Sequence, residues 1–150
     1  KKRKVADLDA RAFYNVRQDK EAPAVRPLKI LLAEDSETNK MLVQAYFKNT
    51  PHVLDVAENG AAALDKYKNG DYDLVFMDMQ MPVMDGYTST RLIREFEAEN
   101  GRPPKPVIAL TAFAFKEDVQ KSLDSGCTDY LAKPIKKSTL MEALKRHCGE

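Results

Sequence analysis

The chain has 150 residues, of which 43% are hydrophobic and 31% are charged, as expected of one soluble globular domain with little room for a second. Nine of its 24 Lys/Arg and four of its 23 Asp/Glu fall in residues 1–29. That segment therefore carries +5, and the remaining 15 bases and 19 acids give residues 30–150 a charge of −4. An acidic domain argues against nucleic-acid binding, which needs a basic face. The longest apolar run, VIALTAFAF at 107–115, is too short to span a membrane, so we expect no membrane contact.

Residues 1–27 are expected to be a linker or tether that is partly helical. The segment has little hydrophobic periodicity and ends in a spacer from Pro23 to Pro27. Its opening KKRKV matches a basic nuclear-import pattern, whereas the simpler interpretation is a chance cluster of bases in a solvated linker. Residues 28–150 are expected to form the folded domain.

From residue 29 onward, short apolar runs alternate with helical patterns. The runs predict five β-strands: KILLA (29–33), VLDVA (53–57), DLVFM (73–77), PVIAL (106–110) and DYLA (129–132). Apolar residues at helical spacing predict the buried faces of three of the helices between and after them: Met41, Leu42, Ala45 and Tyr46 in the first, Leu92, Ile93 and Phe96 in the third, Leu140 and Leu144 in the last. We expect Ser138 to cap the last helix. This alternation predicts an α/β fold, a doubly wound parallel sheet with helices on both faces.

The two cysteines, Cys127 and Cys148, are too few for a disulfide framework, and no CxxC pair suggests zinc. We therefore expect reduced thiols in a cytoplasmic protein, with Cys127 packed in the interior and Cys148 near a frayed chain end.

The ends of four predicted strands carry chemically active side chains. Glu34 and Asp35 follow the first strand, Asp78 the third, Thr111 the fourth and Lys133 the fifth. In an open parallel sheet the carboxyl ends of the strands form the ligand-binding edge, so we expect these groups to lie together. Any one of them alone could be a helix cap or a solvated side chain. Their joint occurrence favours a site.

Three carboxylates on one edge repel one another unless a cation neutralises them. Carboxylate oxygens suit Mg²⁺, with Ca²⁺ as the alternative. A hydroxyl and an ammonium beside the metal would suit a phosphoryl group. The sequence has neither GxGxxG nor GxxxxGK[ST], and the acid pair would repel a nucleotide phosphate. The phosphoryl group would then be covalent, and a carboxylate of this cluster is the plausible nucleophile.

These motifs together resemble the receiver domain of two-component signalling, the response-regulator or chemotaxis-Y-like family, over roughly residues 28–148. The resemblance rests on LLAEDSETN, DLVFMDMQMPVMDG, PVIALTA and GCTDYLAKPI. It implies a flavodoxin-like five-stranded sheet with strand order 2-1-3-4-5 and five helices. The style of MDMQMPVMDG and ALTAFA is most similar to receivers of hybrid sensor histidine kinases.

The resemblance also implies roles for single residues. Asp78 would accept a phosphoryl group from a phosphohistidine, and Glu34, Asp35 and Asp78 would bind Mg²⁺ with the backbone carbonyl of Gln80. Thr111 and Lys133 would bind phosphoryl oxygens. Thr111 and Tyr130 would act as the switch, although Tyr130 could instead be an ordinary buried strand tyrosine. The bond between Lys133 and Pro134 would be cis.

The implied partner is a histidine kinase dimerisation domain or a histidine phosphotransfer protein. The domain itself would catalyse only its own phosphorylation and dephosphorylation, while the parent protein could be a kinase. Two alternatives remain. A pseudo-receiver would keep the fold and act only by docking, and an aspartate-based phosphatase would need a second acid where this chain has Gln80.

Overall fold

The computed structural model describes residues 26–149, in which five strands alternate with five helices. In chain order the elements are β1 (Lys29–Ala33), α1 (Glu37–Phe47), β2 (Val53–Ala57), α2 (Gly60–Asn69), β3 (Leu74–Asp78), α3 (Gly86–Glu99), β4 (Val107–Thr111), α4 (Lys116–Asp124), β5 (Asp129–Ala132) and α5 (Lys137–Cys148). The expected linker helix and the KKRKV run lie outside the described residues. None of the described helices is long and apolar enough to cross a membrane.

The strands form one parallel sheet in the order β2-β1-β3-β4-β5, which confirms the predicted fold class. Two strands end one residue later than the sequence suggested. Asp78 of β3 still pairs with Leu110 of β4, and Thr111 of β4 pairs with Ala132 of β5. The neighbouring strand extends far enough in each case to continue the ladder. Both polar residues are therefore the last residues of their strands and are held by the sheet ladder.

Successive residues of the central strands point to opposite faces of the sheet and form two cores. Ile30, Leu32 and Phe76 pack with Val43 and Phe47 of α1 and with Leu140 and Leu144 of α5. Leu31, Val75 and Met77 pack with Ala63 and Tyr67 of α2 and Ile93 of α3. All five residues of β3 are buried, so the strand that ends in Asp78 is rigidly placed.

The prediction for the buried face of α1 was wrong for Met41, Leu42 and Ala45. Met41 and Leu42 are 65% and 36% exposed and Ala45 is exposed, whereas Tyr46 is half-buried and packs against the core. The helix instead buries Lys40, Val43 and Phe47. Two overlapping apolar stripes were available at helical spacing, and the stripe that fits the sheet contains Phe47, whose ring fills the core beside Leu28 and Ile30.

The other helix predictions had mixed outcomes. Ile93, Leu140 and Leu144 are fully buried, as expected. Ser138 does not cap α5: the helix begins at Lys137, and its cap position is Lys136, two residues before Ser138, which makes no side-chain hydrogen bond. Cys127 is buried and Cys148 is half-buried, both as free thiols.

Candidate functional site

The carboxyl edge of the sheet brings three carboxylates together. Asp78 ends β3, while Glu34 and Asp35 follow β1, the neighbouring strand. One oxygen from each carboxylate lies within 4.8 Å of the others. Glu34 is 1% exposed and Asp78 3%, whereas Asp35 is open to solvent. The cluster therefore lines a pocket in which Glu34 and Asp78 form the buried floor and Asp35 lies at the solvent-exposed opening.

Lys133, which follows β5, reaches into this pocket. Its Nζ lies 3.1 Å from Asp78 Oδ1 and 3.3 Å from Glu34 Oε1. The backbone N–H of Lys133 donates to the Thr111 carbonyl at 2.8 Å, and the peptide bond to Pro134 is cis. A single ammonium thus lies beside two buried carboxylates, and the pocket keeps a surplus of negative charge.

The pKa of Asp78 reflects both its burial and the surplus negative charge of the pocket. Burial, followed by the nearby Glu34 carboxylate, raises the pKa of Asp78 to about 6, against the opposing pull of Lys133. The Gln80 N–H donates to Asp78 Oδ1 at 3.2 Å and also favours the charged form. A second cation in the pocket would relieve the remaining repulsion.

The buried oxygens fit a hard divalent cation. Glu34 Oε2 accepts a hydrogen bond from the Ser36 N–H at 3.1 Å, but Glu34 Oε1 is buried and receives no directed hydrogen bond, although it lies near Lys133 Nζ. This oxygen therefore has an ion-pair partner but no hydrogen-bond donor, which leaves a lone pair that a cation can take up. Glu34, Asp35 and Asp78, with Gln80 in the adjoining loop, could therefore hold Mg²⁺.

Thr111 lies at the end of β4, next to β3. Its hydroxyl is engaged within its own loop: Oγ1 donates to the Phe113 carbonyl at 2.8 Å and accepts from the Phe113 N–H at 3.1 Å. Tyr130 lies on the edge strand β5 and is 38% exposed, so the alternative of a buried strand tyrosine is wrong. The Thr111 hydroxyl is thus held by its own loop, while the Tyr130 ring lies at the protein surface.

The loop after Asp78 folds back tightly against the strand. Gly86 opens α3, and a Cβ at this position would collide with the Asp78 carbonyl oxygen. Asp85 caps the helix by accepting from the Thr88 N–H at 2.8 Å. The abrupt turn in MPVMDG thus lets α3 start directly beside the end of β3, and it leaves the Asp78 side chain facing the pocket.

Sequence reasoning missed three features of this edge. Lys40 is 6% exposed and its Nζ lies 2.8 Å from Glu37 and 3.6 Å from Glu58. Its spacing to Val43 and Phe47 was the available signal. Val83 has a φ of +71°, and no sequence signal marked it. Thr111's hydrogen bonds with Phe113 could not be read from the sequence either, because they depend on the path of the loop.

Known proteins with similar sequences belong to two-component signalling. The family model for the response regulator receiver domain matches residues 30–145. Hybrid signal transduction histidine kinase G of Dictyostelium discoideum is 41% identical over 134 residues, 86% of this chain and 4% of that protein. Sensor histidine kinase GacS of Pseudomonas protegens is 36% identical over 88% of this chain and 14% of its own length. The chain thus spans only a small part of these curated relatives.

Two solved structures are similar in both fold and sequence. The complex of the Saccharomyces cerevisiae histidine phosphotransfer protein Ypd1 with the receiver domain of Ssk1 matches with a TM-score of 0.80 and 31% identity, over 83% of this chain and 90% of that chain. The receiver domain of sensor histidine kinase PA1611 from Pseudomonas aeruginosa, with magnesium in its active-site cleft, gives a TM-score of 0.73 and 35% identity, over 82% and 98%.

Proposed function

The chain belongs to the response regulator receiver family, and we propose that it accepts a phosphoryl group on Asp78 from a phosphohistidine of a partner protein. The observation that carries this proposal is the placement of one buried, rigidly held carboxylate within 3.1 Å of Lys133 Nζ and beside a carboxylate cluster suited to a divalent cation. A general acid two residues after the nucleophile, as a phosphatase would need, is replaced by Gln80.

The proposed reaction is an in-line displacement at phosphorus. An Asp78 carboxylate oxygen attacks, the phosphorus–nitrogen bond to the donor imidazole breaks, and an acyl phosphate forms. Lys133 then pairs with a phosphoryl oxygen and stabilises the charge that develops during transfer. Mg²⁺, when bound by Glu34, Asp35, Asp78 and the Gln80 carbonyl, would neutralise the charge of the carboxylates and of the incoming phosphoryl group.

The switch we propose begins at Thr111. To donate to a phosphoryl oxygen, its hydroxyl has to release the Phe113 carbonyl, which it now holds at 2.8 Å. The loop that leads into α4 then loses this tie, and Tyr130, now 38% exposed, can turn toward the space that Thr111 leaves. Phosphorylation would in this way change the surface formed by α4 and β5.

The proposed partner is a histidine phosphotransfer protein or a histidine kinase dimerisation domain. Support comes from α1, where Met41, Leu42 and Ala45 are exposed on the helix that follows the acid pair. An exposed apolar surface of this kind suits docking of another protein. The similarity to the receiver of Ssk1, solved with Ypd1, agrees with a donor of the phosphotransfer type.

We further propose that the parent protein is a hybrid sensor histidine kinase, because curated relatives of this class are 35–42% identical to the chain. A stand-alone regulator is the alternative, and it would leave the role of residues 1–27 unexplained. The cytoplasmic location and the role of residues 1–27 as a tether also stay predictions.

Intact-protein mass after incubation with acetyl phosphate and Mg²⁺ tests the proposed function. One added phosphoryl group is expected in the native chain, and none after chelation of Mg²⁺ or in Asp78→Asn. Glu142→Gln, an exposed acid on α5, serves as the control and should be modified normally.

Failure of acetyl phosphate alone would be followed by phosphoramidate and by binding of Mg²⁺ with beryllofluoride. If all three failed in folded protein, Asp78 would not be an acceptor. The pseudo-receiver that acts only by docking would then replace the present proposal.

A further inference from the structure

Lys40 is a lysine on the buried face of a helix. It lies in α1, where it shares that face with Val43 and Phe47, and its side chain is only 8% exposed. Its Nζ lies 2.8 Å from Glu37 Oε2 and 3.6 Å from Glu58 Oε2. A buried ammonium thus bridges the first turn of α1 and the residue that follows β2.

The fold alone does not call for a cation at this position. Taking an ammonium out of water is costly. Its partners give little back, because the side chains of Glu37 and Glu58 are 78% and 77% exposed and exposed carboxylates form weak ion pairs. A methionine would fill a comparable space without that cost. The reason for a lysine is therefore to be sought in what the two glutamates would do in its absence.

The two glutamates flank the acidic pocket. Glu37 follows Asp35 by two residues. Glu58 adjoins the pocket through the backbone, since the Glu34 N–H donates to the carbonyl of Ala57 at 2.9 Å and Glu58 is the next residue. Their carboxylates nevertheless lie outside the group of three whose oxygens are within 4.8 Å of one another. Both long side chains thus begin beside the pocket but end at the ammonium of α1.

The number of protein oxygens decides which divalent cation a pocket of this kind prefers. Mg²⁺ demands octahedral coordination and usually keeps several waters, whereas Ca²⁺ takes about six to eight oxygens in a flexible geometry. The three carboxylates of the pocket and the Gln80 carbonyl would leave positions for water and for a phosphoryl oxygen. Two further carboxylates would complete the coordination of Ca²⁺ from protein groups alone.

We propose that Lys40 determines the metal selectivity of the acidic pocket: it holds the carboxylates of Glu37 and Glu58 away from the metal and thereby favours Mg²⁺ over Ca²⁺. The inference rests on the Mg²⁺ site of the proposed function. Lys40 acts through the two glutamates, whereas Lys133 lies directly beside the pocket carboxylates, at 3.1 and 3.3 Å. The preference serves the proposed reaction, because the phosphoryl group needs a coordination position that a metal enclosed by carboxylates does not leave open.

Loss of the Lys40 charge has a second effect, which has to be separated from the release of the glutamates. Removing a positive charge near the pocket strengthens the attraction for any divalent cation, by a similar factor for Mg²⁺ and Ca²⁺ because both carry the same charge. Release of Glu37 and Glu58 instead adds ligands, which benefits Ca²⁺ more than Mg²⁺. The ratio of the two dissociation constants is therefore the quantity to measure.

Urea denaturation of the full chain, with increasing MgCl₂ or CaCl₂ at constant ionic strength, gives each dissociation constant from the gain in stability and needs no phosphoryl donor. Lys40→Met should bind Ca²⁺ at least about tenfold more tightly than the native chain does, and Mg²⁺ at most about threefold more tightly. Lys40→Arg keeps the charge and can hold both glutamates, so it should keep the native ratio. Lys48→Met, which removes an exposed charge at the other end of α1, is the matched control and should also keep that ratio.

A triple variant identifies the groups responsible for the change. Lys40→Met combined with Glu37→Gln and Glu58→Gln removes the two carboxylates that the single variant releases, so the native ratio should return. The unfolding curves themselves show whether each variant folds. Lys40→Gln takes the place of Lys40→Met, alone and in the triple variant, if the methionine prevents folding.

The outcomes distinguish the role of Lys40 from the metal site itself. An unchanged ratio in Lys40→Met, or an equal gain for both ions, would overturn the selectivity role, as would a preference for Ca²⁺ that persisted in the triple variant. Each of these results, with a native chain that binds Mg²⁺, would leave the proposed function intact. If neither ion stabilised the native chain, the Mg²⁺ site of the proposed function would fail, and this inference with it.

Discussion

Lys133 and Asp78 form an ion pair of 3.1 Å between Nζ and Oδ1 at the floor of a pocket that also contains Glu34. Lys133 is thus the one described cation that balances both buried carboxylates. Its removal leaves two negative charges without compensation in a poorly solvated place, which is more costly than losing an exposed ion pair.

Lys133→Met is therefore expected to lower the free energy of unfolding by about 1–3 kcal/mol at pH 7.5 without Mg²⁺. It should also slow phosphorylation by acetyl phosphate by a factor of about 100, because the charge on the transferring group is less stabilised. Urea denaturation and intact mass measure the two effects. Lys137→Met, an exposed lysine on α5, should change neither, and an equal effect of both variants would contradict the role of Lys133.

The raised pKa of Asp78 predicts a pH-dependent stability. Because this pKa lies at about 6 in the folded protein and near 4 in the unfolded chain, the folded state binds more protons between these values. The contribution of Asp78 to stability therefore falls as pH rises from 4 to 6 and stays low above it.

Asp78→Asn removes that unfavourable charge. Relative to the native chain, the variant should gain on the order of 2 kcal/mol in the free energy of unfolding at pH 7.5, and the gain should vanish near pH 4. Urea denaturation at several pH values in a chelating buffer measures the difference. Mg²⁺ should then stabilise the native chain more than the variant, and a pH-independent difference would show that Asp78 is not destabilised by its charge.

The hydrogen bonds between Thr111 and Phe113 predict how the loop before α4 responds. The chain has no tryptophan, so Phe115→Trp places a single fluorescent reporter on this loop. Mg²⁺ with beryllofluoride should change its emission in the Thr111 background and in Thr111→Ser, which keeps the hydroxyl. Thr111→Ala should bind beryllofluoride with much less change in emission. An undiminished change would show that the loop responds without the Thr111 hydroxyl.

The hydrogen bonds of the buried Glu97, which lies far from the acidic pocket, predict a large loss of stability when its carboxylate is removed. It is 2% exposed and accepts from Tyr67 Oη at 2.5 Å, from Arg94 Nη1 at 2.9 Å and from the Lys105 N–H at 3.0 Å. Glu97→Ala leaves the Tyr67 hydroxyl and the Lys105 N–H without their acceptor, while Arg94 keeps its bonds to the Gly126 and Lys105 carbonyls. The variant should cost about 3 kcal/mol or more, whereas Tyr67→Phe should cost about 1 kcal/mol.

Both variants lie at the end of α3 and α2 that is opposite the pocket. The folded molecules of either variant, whose fraction is known from the denaturation curve, should therefore still accept a phosphoryl group from acetyl phosphate at the native rate. A reduced rate in the folded fraction would show coupling between the two ends of the sheet.

The exposed stripe on α1 predicts a loss that is specific to protein donors. Leu42→Asp should lower the free energy of unfolding by only about 1 kcal/mol, because the side chain is 36% exposed and loses part of its apolar contact, and it should leave phosphorylation by acetyl phosphate unchanged. Transfer from phosphorylated Ypd1 should fall at least tenfold. Leu123→Asp is the matched control, 41% exposed near the end of α4, and a similar loss there would place the docking surface elsewhere.

The sequence by itself determined the order of the strands and helices and the chemical groups at the carboxyl edge. Alternating apolar runs and helical patterns are local signals, and parallel topology then brings residues at strand ends together, as it does for Glu34, Asp78 and Lys133. Topology alone was enough to predict that these three residues share one pocket. The distances from Lys133 Nζ to Glu34 and to Asp78 were known only from the structure.

Tertiary structure alone decided which stripe of α1 is buried, because the stripe of Met41 and Leu42 and that of Val43 and Phe47 are similarly apolar and only the shape of the sheet surface distinguishes them. It also decided that the Thr111 hydroxyl is held by Phe113 and that Val83 takes a positive φ. Both follow from how loops close between fixed strand and helix ends, and that closure is set by hydrogen bonds between residues far apart in the chain, such as Gly60 and Met84.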